Sequence, residues 1–419
     1  MTINRHSSWI IAEFFFIFSV ISAVMFAILS DTIAETLKLN QSQLGQLSGV
    51  YFIVFALSQL GIGISFSLIS PRIILVGTAV LSTFGAILFA SSESFGFALF
   101  ARIIMGMGLS STFVGVLYIV GENYPDKFAL MSSFSQSIAN LGAASMSILS
   151  AYIPFLVTFR EPFLIMSGLF LLTAILLYLI LSKPSNETTI SRPKLTIKED
   201  FTTAVSSKQF WAALLYYSGL FGSLIAYADL WNIQFEMKYF QHTAAASTVM
   251  NSMVILGATL GGITAGLWAD RSGYILPARA FGVMSVILFS LCLLINVSDF
   301  IATGMMFLLG FGLGGSILGL TAIRESIPTS AIPMGTSLIV TTGFIFVGII
   351  QPIIGSVIGT EDAPFLQYNL VDYQVINFGS YQRGILVLLA FALIATIASF
   401  CFRKKTSLML LIHNKTWEY

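Results

Sequence analysis

Twelve runs of about 20 apolar residues constrain this chain more than any other feature of its sequence. A helix rises about 1.5 Å per residue, so about 20 residues cross a hydrocarbon core about 30 Å thick. The runs fall near 9–29, 44–65, 73–91, 97–119, 131–154, 162–182, 210–230, 247–268, 277–297, 301–322, 334–358 and 382–402. In lipid the backbone must satisfy its own hydrogen bonds, so runs this long are helices. Strands of a membrane barrel are about half as long and alternate in polarity. The spacing predicts an all-α integral membrane protein with twelve transmembrane helices. The first run follows Arg5, as in a signal peptide, but it exceeds the roughly 7–15 residues of such a core and reads as a retained helix.

Composition closes the alternatives. Charged residues make up 9% of the 419, against about 25% in a soluble domain. That is too few to coat a water-facing surface, which excludes disordered, nucleic-acid-binding and soluble-enzyme readings. The net charge of +1 points to no charged partner. Cys292 and Cys401 both lie in apolar runs, so there is no disulfide framework and no Cys-based metal site. His6, His242 and His413 fall in tails or loops and form no Glu–His constellation. No metal and no cofactor is expected.

Lys and Arg set the orientation. With the N-terminus in the cytoplasm, fifteen of them lie in inner segments and four (Lys38, Arg160, Lys238 and Arg383) in outer ones. This positive-inside bias puts both termini in the cytoplasm of a multi-pass protein of the cytoplasmic membrane. A polar linker, 183–208, carries Pro184, Pro193 and five basic residues. It divides the chain into a six-helix half at 1–182 and another at 209–419, the latter with a short tail. The sequon at Asn186 then faces the cytoplasm and stays unglycosylated.

The halves repeat. At an offset of 203, Gly63 falls on Gly266, Glu122 on Glu325, Pro125 on Pro328 and Met131 on Met334. Charged residues are rare here, so two aligned Glu-x-x-Pro motifs weigh more than aligned Gly or Leu. Repeated six-helix halves are the layout of secondary transporters with a midplane site.

After the eighth run the sequence reads Gly266-Leu-Trp-Ala-Asp270-Arg271-Ser-Gly273. This resembles the G-x-x-x-D-R-x-G signature of the major facilitator superfamily. Arg102-Ile-Ile-Met-Gly106-Met-Gly108 is similar to that family's R-x-x-x-G-x-G pattern in the fourth helix. The first-half loop, Gly63 to Arg72, is degraded, with Ser67 in place of the Asp and Ser70 in place of the second Gly. The fifth run lacks the Gly-Pro signature of drug antiporters. The resemblance covers nearly the whole chain. It implies two pseudo-symmetric six-helix bundles and transport by alternating access, working as a monomer in the lipid bilayer.

The loop residues suggest a cytoplasmic gate. Asp270 can face a helix N-terminus, where the dipole favours an anion. Arg271 can pair with Glu325, and the repeat predicts a matching pair of Arg72 with Glu122. The alternative is that these charges face water and orient the helices, because surface pairs contribute only about 0–1 kcal/mol.

Charges inside the runs are functional candidates, because one at the bilayer centre costs about 2.5–3.5 kcal/mol on insertion scales. Glu13 lies about 6 Å from the cytoplasmic end, counted from Trp9, and is either a proton-coupling acid or a carboxylate reaching the interface. Arg102 lies about 8–11 Å from the outer side and is either a cation for an anionic substrate or a helix brace. Asp229, near the outer end of its run, is a possible partner for it or an interfacial acid.

Tyr51, Gln59, Tyr118, Gln136, Asn140, Tyr216, Asn251 and Gln351 are polar at helix depth. Each alone reads as interhelical glue, and together they suggest a polar cavity. Gln136 and Asn140, four apart, share a face. The Gly-rich stretches 257–266 and 310–315 lack the Lys-Ser/Thr ending of a phosphate loop and read as close helix packing.

The expected function is secondary active transport of a small polar, anionic or zwitterionic solute, driven by a proton or other ion gradient. The alternatives are a proton-driven exporter of a siderophore, drug or metabolite, and a transporter-like sensor. An enzyme is not expected, since metal and nucleophile motifs are missing.

Overall fold

The computed structural model describes residues 5–152, 158–181, 197–294, 297–328, 331–359 and 379–403. The linker at 183–196, with the Asn186 sequon, and the tail beyond 403, with His413, lie outside the described residues. Among the described residues there is no strand.

Twelve helices of membrane length follow one another. In the first half they are α1 (Arg5–Ile28), α2 (Gln41–Leu68), α3 (Pro71–Ala90), α4 (Phe95–Asn123), α5 (Phe128–Ser150) and α6 (Arg160–Ile180). In the second they are α7 (Lys208–Lys238), α8 (Ala244–Ser272), α9 (Ile275–Leu294), α10 (Asp299–Ser326), α11 (Ile332–Ile358) and α12 (Ser380–Phe400). Eleven of them are apolar enough to cross a membrane. The exception is α5, which carries seven serines with Gln136 and Asn140. Two short helices, Ser30–Leu37 and Ile197–Val205, precede α2 and α7.

Local chemistry fixes the helix ends. Asn40 and Gln43 form a reciprocal capping box at the start of α2, with N···O distances of 2.8 and 3.1 Å. Pro71 occupies the first turn of α3, where its missing N–H is no loss. The Thr243 hydroxyl caps α8, and Gly273 leaves that helix at φ 80°, a left-handed conformation that favours glycine. The repeat offset of 203 is kept structurally. α4 ends at Asn123 and α10 at Ser326, each just before the proline of its Glu-x-x-Pro motif. α4 is interrupted at Ser110–Ser111 and α10 by a 3-10 turn at Gly315–Ile317, again at nearly the same offset.

Within the first half, α3 packs on α4 and α6, α1 on α5, and α2 on α4; within the second, α8 packs on α10, and α12 on α7 and α9. The Gly-rich stretches serve α8 and α10. A Cβ on Gly257 would strike the carbonyl of Phe307, and one on Gly310 the carbonyl of Val254. Three pairs join the halves among the described residues: α2 with α11, α5 with α8, and α1 with the middle of α7. We call the end bearing Arg5, Arg271 and Arg403 the basic end, and the other the far end.

Candidate functional site

The seam between the halves is sealed over one half of its length. From the far end inward, α2 and α11 touch backbone to backbone. A Cβ on Gly49 would strike the carbonyl of Gly348, and one on Gly45 would lie 2.5 Å from the carbonyl of Gln351. Pro352 sits inside α11 and cannot donate to the carbonyl of Gly348, which is left facing Gly49. Further in, the Phe344 ring meets Phe52 at 6.2 Å and Phe55 at 5.1 Å. Along α5 and α8, the Ser147 hydroxyl donates to the Thr248 carbonyl (2.9 Å) and the Ser252 hydroxyl to the Ala144 carbonyl (3.0 Å). Asn140 donates to the Thr259 hydroxyl at 3.0 Å, and Gln136 to Asn140 at 3.1 Å. Phe55, Phe344, Asn140 and Thr259 all stand near the midpoints of their helices.

The far end is also where the ion pairs are. Lys238 pairs with Asp31 at 3.1 Å, and Gln234 donates to Asp31 (2.9 Å) and to the Ser30 hydroxyl (2.8 Å), tying α7 to the first half. His242 approaches Asp299 at 2.6 Å and Glu236 at 3.5 Å. Among the described residues the one Lys–carboxylate ion pair and both His–carboxylate contacts, ionic only when the ring is protonated, lie at this end.

The expected cytoplasmic gate pairs are not formed. Asp270, Arg271, Glu325 and Glu122 are exposed and carry no ion pair. Arg72 instead lies over the Tyr178 ring at 4.1 Å. Nothing packs within 4 Å of a Cβ placed on Gly63 or Gly266. The two members of each expected pair belong to one half, Arg271 and Glu325 to the second and Arg72 and Glu122 to the first; Arg72 is held by the Tyr178 ring, and the other three side chains are exposed at separate helix ends.

Arg102 is 1% exposed. Its Nε donates to the Leu47 carbonyl at 3.1 Å, and its guanidinium stacks over Tyr51 at 4.2 Å and Phe26 at 4.4 Å. Gly106, one turn further along α4, permits this, since a Cβ there would lie 2.7 Å from the Tyr51 carbonyl. The Nη1 atom is buried with no partner. Asp229 is within Coulombic reach of Arg102 but forms no direct ion pair with it, correcting the expected bond.

Two depths also change. α7 runs on to Lys238, so Asp229 sits about 13 Å from the far end and not at the interface. It stands in a five-residue π-helical stretch, Tyr227–Trp231, that packs against α1. α1 begins at Arg5, so Glu13 is about 12 Å deep. It is 4% exposed, and neither of its oxygens accepts a hydrogen bond.

The remaining polar candidates divide. Tyr216 braces its own half, donating to the Ala278 (3.0 Å) and Gly315 (3.2 Å) carbonyls. Asn251 accepts from Asn232 at 3.0 Å, and Tyr118 stacks on Phe66 at 4.9 Å. Gln351 donates weakly to the Ala226 carbonyl at 3.4 Å. Gln59 and Gln351 each keep a buried, unpartnered Oε1. The sequence reading missed Asp31, Gln234, Glu236 and Asp299. It also set His242 aside as a loop residue, whereas the fold brings it between two carboxylates. The available signal was a Glu six residues before a His at a span's end.

A model of the Major Facilitator Superfamily matches residues 11–361. The chain belongs to the Major Facilitator Superfamily. It is a transporter, not an enzyme. Among solved structures it is similar to a bacterial homologue of the human lysosomal transporter Spinster, inward-facing and occupied. The TM-score there is 0.77 at 13% identity, over all of this chain and 98% of that one. It is also similar to the nucleoside transporter NupG, with a TM-score of 0.73 at 14% identity over 97% of this chain and 100% of that one. Such identities show the fold alone. No curated protein matches the sequence.

Proposed function

We propose that this superfamily member is a proton-coupled secondary active transporter of a small anionic or zwitterionic solute, working as a monomer in the cytoplasmic membrane. The observation that carries the reading is Arg102, a buried cation with an unpartnered Nη1 at the closed end of the seam. Arginine does not lose its proton, so such a group needs an anion or a dipole, and a substrate carboxylate supplies one. Aromatic rings on two of its sides limit what approaches it. Glu13 and Asp229 are the coupling acids. Both lie deep in helices without an ion-pair partner, and an intramembrane carboxylate is a proton-relay candidate by default. The excess of Lys and Arg puts the basic end in the cytoplasm. The seam is then closed to the outside and open inward, one of two states that exchange during transport.

Ligand-dependent thermal stabilisation of the purified protein tests this. A ligand that binds the folded state raises stability by mass action. Against a panel of carboxylates, amino acids, sugars and amines at two pH values, we expect hits among the anions and zwitterions. Those hits should vanish in Arg102→Ala. Stabilisation by neutral sugars or amines alone, unchanged in Arg102→Ala, would remove Arg102 from the site.

A further inference from the structure

We propose that Glu236, His242 and Asp299 form an outer proton site, and that loading it with one proton holds the far gate shut. The three groups come from the end of α7, the loop after it and the start of α10. Glu236 is 1% exposed, and neither carboxylate oxygen accepts a hydrogen bond. The His242 ring stands beside it, with Nε2 at 3.5 Å. The other ring nitrogen meets Asp299 at 2.6 Å. The His242 side chain is 7% exposed and Asp299 60%, so the three form a line from outer water to a buried acid. Glu236 and His242 border a small pocket with Phe240, Cys292, Met305 and Met306, with room for about one water molecule.

The other titratable groups around Glu236 do not neutralise it. On its own helix stands Tyr227, a neutral hydroxyl close to Glu236 but directed at the Met306 sulfur (3.3 Å); Cys292 faces it from α9. Tyr239 follows on the same segment, and Tyr381 and Arg383 stand at the far end of α12. From the first half comes Asp31, already paired with Lys238.

The link to the gate is the segment itself. Residues 232–238 follow the π-helical stretch and form one short helical piece. Gln234 and Lys238 bind Ser30 and Asp31 across the seam. Glu236, two residues from each, points to the opposite side, toward α9 and α10. In this proposal residues 232–238 move as one piece, so release of Gln234 and Lys238 from Ser30 and Asp31 also withdraws Glu236 from its pocket against α9 and α10. A buried carboxylate beside a neutral imidazole is costly, and one added proton removes that cost.

The transfer balances. A proton from outer water binds the Asp299 carboxylate and passes to His242 Nδ1. The ring's Nε2–H passes its own proton to Glu236, leaving Asp299 ionised, His242 neutral and Glu236 neutral. When the gate opens, Glu236 meets water and releases that proton.

The inference rests on the proton-coupled transporter reading, but its test needs no substrate, so each can fail alone. Spin labels at Thr36→Cys and Ser356→Cys, exposed on opposite halves at the far end, report gate opening. The full-length protein would be studied in lipid nanodiscs with Cys401→Ser and buried Cys292 retained. We expect a short distance at pH 5.5 and a longer one gaining as pH rises to 9. For one linked proton the open-to-closed ratio changes up to about tenfold per pH unit. Glu236→Gln should stay short at every pH, Glu236→Asp should keep the response, and His242→Gln should move its midpoint. Distances that ignore pH in the unsubstituted pair, or that follow pH unchanged in Glu236→Gln, would overturn the proposal.

Discussion

The two ends of the seam are built from the same two halves, yet they hold in opposite ways. At the far end, glycines of α2 and α11 let backbones touch, and one ion pair and the Gln234 amide bridge the halves. At the basic end, the repeated Glu122 and Glu325 and the loop residues Asp270 and Arg271 face open space. Short, shape-dependent contacts close one end. Long charged side chains are left to close the other. Contacts of the first kind have a steep dependence on geometry, because close-packed groups cannot share space. Charged pairs at a surface are weak and salt-dependent. The far end should therefore respond sharply to a single methyl group, and the basic end gradually to charge.

The largest effect is expected from Gly49→Ala. Its Cβ overlaps the Gly348 carbonyl, and overpacking costs about 1–3 kcal/mol. That is about a 5- to 150-fold loss of the closed state, which the far-end spin-label distance reads directly. A closed far end in Gly49→Ala would break the comparison. Next comes Ser252→Ala, which removes one buried bond to α5 for about 0.5–1.5 kcal/mol. Its far-end distance should lengthen in part of the population. Asp31→Asn should do less, about 0.2–1 kcal/mol, since Lys238 and Asp31 are 42% and 29% exposed. Raising salt should mimic it, and no salt effect on the unsubstituted gate would remove this pair from the account. Smallest in the state described here is Asp270→Asn. Its carboxylate is exposed and forms no ion pair in this state, so thermal stability should hold. Its effect belongs to the opposite state, where labelling of a basic-end cysteine should rise. Unchanged labelling would show that Asp270 has no part in closing that end.

Much of this was legible in the sequence, and for identifiable reasons. Twelve apolar runs gave twelve helices, because lipid leaves the backbone no other partner. Glu-x-x-Pro marked matching helix ends in both halves, because proline cannot continue the preceding turn. Arg102 stood out as a charge among apolar neighbours, and its depth followed from residue counting. Asp229 and Glu13 were found too, but too shallow, since polar residues such as Gln234 and His6 ended the apolar runs before the helices ended. Tyr216 could be recognised as polar at depth, but its role as a brace to Ala278 and Gly315 could not.

The sequence by itself determined how many membrane-length helices form, where they begin and end to within about a turn except at the far end of α7, and which few charges lie within them. Those follow from local rules of hydropathy and hydrogen bonding. Only the tertiary structure decided which end of the seam is shut, that Arg271 and Glu325 stand apart, and that His242 meets Glu236 and Asp299. The first depends on how one bundle is rotated against the other; the other two depend on how helix ends and loops distant in sequence meet within the second bundle. The same sequence must allow both rotations, so no local pattern in it selects one.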